Sequence, residues 1–77
     1  MKVDEKGHTI IIKDTEGEVN TFLEKVSSQH NNFKDFNLVL DVTQDKSVDL
    51  KAIKLFTPLS KIHKKGKKSF VIVAENI

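Results

Sequence analysis

Three histidines, three aspartates near one another and a run of lysines are the side chains of this 77-residue chain best suited to chemistry. His8, His30 and His63 do not form a ligand-like array with each other or with carboxylates. A zinc site needs three or four convergent ligands, so the spacing argues against a metal. There is no cysteine, no Gly-x-Ser-x-Gly elbow, and no Ser or Thr with an evident base beside it. Those absences count against nucleophilic catalysis. No glycine-rich turn follows an apolar strand, so a phosphate loop is not expected and no cofactor is implied. Asp41, Asp45 and Asp49 cluster, but each has an ordinary reading as a loop or capping carboxylate. The chain is therefore expected not to be an enzyme.

Two surfaces remain. The first is residues 43–50, which follow an apolar strand. Ligands of open α/β sheets sit beyond the carboxyl ends of parallel strands, so Thr43, Asp45, Ser47 and Asp49 form the candidate partner-binding loop. The second is the basic segment 61–68, in which Lys64, Lys65, Lys67 and Lys68 could attract nucleic acid or another anion. Its simpler reading is a solvated helix end whose lysines complement the helix dipole. Single-strand binders interleave aromatics for base stacking, and Phe70 is the only aromatic nearby, itself suited to a core. All thirteen basic residues are Lys, with no Arg to grip phosphates or base edges in a two-point fork. Nucleic acid is thus the less expected partner.

Charge divides by half. Residues 1–42 carry five Lys against eight acids, and residues 43–77 carry eight Lys against three acids. The length makes one domain, 1–77, burying about 60–65% of its unfolded surface. No apolar run approaches the roughly 20 residues of a membrane span, and MKVDEKGHT lacks the apolar core of a signal peptide. With no cysteine to oxidise, a soluble cytoplasmic protein is expected.

The elements that must position these groups can be read in order. Residues 1–4 predict a short strand, and Glu5-Lys6-Gly7 a turn using the conformational freedom of Gly7. The β-branched run Thr9-Ile10-Ile11-Ile12 predicts a strand over 8–13 buried on both faces, closing a hairpin. Thr15 and Glu18 match a capping box, and Val19, Phe22, Leu23 and Val26 form one apolar stripe of a helix. Asn31-Asn32 should end it, leaving Phe33 and Phe36 to plug the base of the sheet.

NLVLDV at 37–42 reads as a central parallel strand covered on both faces. Ser47 or Asp49 would cap a helix from Leu50, whose apolar residues run to Ile62. Pro58 interrupts that pattern, so the helix should kink or break near residues 55–57. Gly66 is the expected terminator, and residues 69–74 give a second buried strand. The crossover of about 26 residues between the strands makes a right-handed βαβ unit. The predicted fold is α/β, β-β-α-β-α-β, a four-stranded mixed sheet with helices.

That order, with NLVLDV at 37–42, DLKAIKLF at 49–56 and KKSFVIVAE at 67–75, resembles the STAS domain of anti-sigma-factor antagonists and sulfate-transporter tails. The family's strand typically ends in Leu-Asp-Leu, and its helix begins Asp-Ser-Ser-Gly-Leu. Leu40-Asp41-Val42 fits the first, and Asp49 stands where the loop aspartate is expected. Leu50 and Lys51 occupy the two serine positions and Ala52 the glycine, so the family's phosphoserine switch is missing. Ser47 is the nearest hydroxyl, read as a cap. The resemblance implies a non-catalytic regulatory module that binds another protein. STAS domains usually continue into a further helix, so the chain is expected to lack it, leaving a sheet face partly bare and prone to self-association. It also resembles short bacterial STAS-like proteins labelled ribonuclease Z, but that enzyme's His-x-His-x-Asp-His metal pattern is absent.

Overall fold

A computed structural model describes residues 1–46 and 48–75. Two strands open the chain, β1 (Lys2–Lys6) and β2 (Thr9–Lys13). They pair antiparallel, with Lys6 opposite Thr9 across a two-residue turn. Gly7 takes φ 62° at its first central position, as a type II′ turn asks of a glycine. Strand β1 therefore extends beyond residues 1–4, through Glu5 and Lys6, because the turn lies at Gly7-His8.

The next stretch departs from the predicted capping box. Gly17 has φ 73°, a left-handed backbone that helix cannot continue through, so α1 starts later, at Val19–Ser28. Glu18 is the N-cap and its carboxylate accepts the Asn20 N–H at 2.8 Å. Thr15 has no part in this cap. The turn before it is organised by Asp14, whose Oδ1 accepts the N–H groups of Glu16 and Gly17 at 3.0 and 3.1 Å. Glu16 then pairs with Lys25 and the Met1 amine, tying α1 to the chain start.

Asn31 and Asn32 do not end the helical path. A short α2 (His30–Phe33) follows Gln29 and delivers Phe33 into the core. Strand β3 (Asn37–Asp41) comes next. The helical region after it breaks where Pro58 predicts, into α3 (Leu50–Lys54) and α4 (Thr57–Lys65). Pro58 falls in the first turn of α4, where no intrahelical partner awaits its missing N–H. The last strand is β4 (Phe70–Val73).

The sheet order is β1-β2-β3-β4, with β2, β3 and β4 mutually parallel. Crossovers between parallel strands are right-handed as a rule, so two that step the same way lay their helices on one face. The burial pattern agrees. Ile10, Ile12, Leu38 and Leu40 are buried together with Phe22, Val26, Phe33, Phe56 and Leu59 from the helical segments. The alternate residues Ile11 and Val39 are only half-buried. Strands β2 and β3 are thus covered on one face, not both. A continuous apolar run is compatible with either arrangement, and the single helical layer decides which occurs. Strand β4 is an edge, with Val71 49% and Val73 41% exposed. Among the described residues no helix is long and apolar enough to cross a membrane.

Candidate functional site

The carboxyl ends of the parallel strands bring Asp14, Asp41 and the 43–49 loop together. The Asp14 N–H donates to the Asp41 carbonyl at 2.9 Å, linking the two strand ends. Asp41 Oδ1 accepts both the N–H (2.9 Å) and the hydroxyl (2.6 Å) of Thr43. The Thr43 hydroxyl, then its N–H, and the nearby charge of Lys13 hold the Asp41 carboxyl below its ordinary range. Asp49 caps α3 by accepting the Ala52 N–H at 2.9 Å. Asp45 is buried, and Ser47 lies outside the described residues. So Thr43 and Asp49 are engaged with neighbouring backbone and side chains, and Asp45 faces inward.

Asp14 is the residue that sequence reasoning missed at this end. It is fully buried, and its Oδ2 has no hydrogen-bond partner among the described residues. Burial raises its pKa, and the charges of Asp45 and Glu16 add to that, against the two backbone N–H groups on Oδ1. No group of three His, Cys, Asp or Glu side chains that could hold a metal ion is found among the described residues.

The basic run is divided by the fold. Lys64 and Lys65 end α4, while Lys67 and Lys68 lie in the turn after it. Gly66 keeps φ −78° and is the C-cap, and the left-handed position falls instead on Lys67, at φ 62°. The helix thus ends at Gly66 as expected, and Lys67 takes the left-handed position just beyond it. Lys64, with Lys61, borders a groove beside β4, and Lys65, Lys67 and Lys68 do not line it.

That groove, about 400 Å³, is floored by Ile53, Phe56, Phe70 and Ile72, with Thr57 and Ser60 on its wall. It runs along an edge strand with backbone groups to offer. The Leu38 N–H donates to the Ser69 carbonyl and the Val42 N–H to the Val73 carbonyl, both at 2.9 Å. In a parallel ladder the direction alternates by residue, so Ser69, Val71 and Val73 face β3. Phe70, Ile72 and Ala74 then direct their N–H and C=O outward. Strand β1, the other edge, is guarded by Lys2, Asp4, Glu5 and Lys6, whereas Phe70–Val73 carries no charge at all. The uncharged last strand was visible in the sequence, but its edge position was not.

The structure also joins two histidines that the sequence keeps 33 residues apart, His30 and His63, on α2 and α4. His8 stands alone in the hairpin turn. No family model matches the chain, and no curated protein or solved structure matches it.

Proposed function

We propose that this chain is a non-catalytic protein-binding module of STAS-like fold, whose contact surface is the edge of β4 with the groove beside it. The observation that carries the reading is an uncharged edge strand with outward-facing backbone groups flanked by an apolar groove. An extended segment of a partner could add as a strand there, its backbone bonding to Phe70 and Ile72 and its alternate side chains entering the groove. The loop at 43–49 supports a contact surface less well, because Thr43 and Asp49 are held in local hydrogen bonds and Asp45 is buried.

The STAS-like reading draws on an opening hairpin followed by two helical crossovers to successive parallel neighbours, and on Asp41 and Asp49 at the expected positions. Leu50, 62% exposed, and Lys51 stand where that family's serines would be, so regulation by phosphorylation at those positions is not part of the proposal. Zero cysteines suit a reducing cytoplasm.

Peptides selected from a random displayed library would test this. Binders should carry alternating apolar residues and shift the amide resonances of Phe70, Ile72 and Ala74. Failure to select any, or shifts confined to residues 61–68 on adding an RNA fragment at low salt, would overturn the reading in favour of an anion-binding surface.

A further inference from the structure

The groove beside β4 has a charge character that is separate from the strand edge. Its floor, with Phe56, Phe70 and Ile72, is apolar, and its wall is the α4 face bearing Thr57, Ser60, Lys61 and Lys64. Those four recur at helical spacing, so their side chains share one face. No acid answers the two lysines. Between Asp49 and Glu75 the sequence carries seven lysines and no Asp or Glu. No carboxylate stands three or four residues from Lys61 or Lys64, where a helical ion pair would form. The ion pairs among the described residues are Met1 and Lys25 with Glu16, and Lys46 with Glu75. Lys61 and Lys64 are therefore available to a ligand.

We propose that this groove binds a small apolar carboxylate, an aryl or medium-chain alkyl acid in its ionised form. The volume of about 400 Å³ lies within the range of small-molecule sites. The apolar body would lie against Phe56, Phe70 and Ile72. Lys61 and Lys64 are neighbours on the helix surface, so both ammonium groups can converge on one carboxylate. The hydroxyl of Thr57 or Ser60 would supply a further donor. With no Arg fork and no glycine-rich nest, a phosphate is less well served there. Such a ligand would occupy the space that an added strand's inward side chains need. It uses side chains alone and does not rest on the β4 backbone.

Titrating the isotope-labelled whole chain with naphthoate, followed by nuclear magnetic resonance at low salt, tests the proposal. The Ile53 and Ile72 methyls and the Phe56 and Phe70 rings should shift together and saturate. Naphthalenemethanol, the same body without the charge, should bind about tenfold more weakly, as befits two partly exposed ion pairs. Acetate, the head without the body, should not saturate. K61Q with K64Q should weaken naphthoate by the same factor and leave its circular dichroism spectrum unchanged. K65Q with K68Q, outside the groove, should leave the affinity as it was. Equal binding of the alcohol and the acid would overturn the proposal. So would an equal loss in the two double variants, which would mark a diffuse positive field in place of a site. Tighter binding of inorganic phosphate at the same residues would overturn the carboxylate assignment, and the absence of saturation by naphthoate would overturn the site itself.

Discussion

His30 Nε2 lies 3.3 Å from His63 Nδ1, and His63 Nε2 lies 2.7 Å from the Phe36 carbonyl oxygen. A carbonyl can only accept, so His63 carries its proton on Nε2 and offers the Nδ1 lone pair. His30 must then donate from Nε2. The pair joins α2, α4 and the approach to β3, with His63 only 1% exposed.

Protonating His30 should loosen this corner. Burial, then the neighbouring His63 and Lys34, push the His30 pKa below its ordinary value. A base with a depressed folded pKa favours folding above its unfolded value, about 6.5, and the contribution is lost as pH falls below it. The melting temperature should therefore drop between pH 7 and pH 5. H30Q, which can still donate a hydrogen bond but does not titrate there, should flatten that slope. An equal slope in wild type and variant would refute the assignment.

Asp14 should act with the opposite sign. Its folded pKa is raised, so ionisation opposes folding once pH climbs through the unfolded value toward neutrality. D14N keeps the Oδ1 that accepts from Glu16 and Gly17 and removes the charge. The variant should be more stable than wild type at pH 7, and the gain should shrink as pH approaches 4. Denaturant midpoints at the two pH values would measure it.

Gly17 and Lys67, two of the positive-φ residues, should respond oppositely to substitution. Gly17 sits at φ 73° with open space where a Cβ would go, so G17A is strained by conformation alone. A loss of about 1 kcal/mol is expected. Lys67 already bears that strain at φ 62°, and K67G should recover about 0.5–1 kcal/mol. Chemical denaturation at low protein concentration would compare them.

Phe22 and Phe56 are fully buried with ring centroids 6.3 Å apart, bridging α1 and the junction of α3 with α4. Truncating either ring to alanine typically costs about 3–5 kcal/mol. A domain this small has only roughly that much stability in total. F56A should be largely unfolded at 25 °C by circular dichroism, whereas F56L should keep the fold.

Strands and helices were legible where local chemistry decides. The run at 37–42, the stripe from Val19 to Val26 and the break at Pro58 each follow from short-range rules. What the sequence could not say was settled by tertiary placement. Ile11 and Val39 look as buried as Ile12 and Leu40 until the helical layer is known to be single. Thr15 and Glu18 spell a capping box, but the left-handed Gly17 between them separates Thr15 from the helix. Gly66 invites the left-handed position, yet the chain gives it to Lys67. His30 and His63 meet only because α2 and α4 pack together, and no spacing rule spans that distance. At the candidate site, the residues of the 43–49 loop were easy to name, while the β4 groove depends on contacts between α3, α4 and the last strand.

The charged β1 strand gives the sheet a direction. On the proposed reading, strands would add beyond β4 and not beyond β1, where Lys2, Asp4, Glu5 and Lys6 would have to surrender water to a neighbour. A strand added at β4 would leave β1 as the outer margin on the far side. Growth would end there, so an apolar edge that threatens fibrous aggregation in an unguarded sheet would take up a partner on one side only.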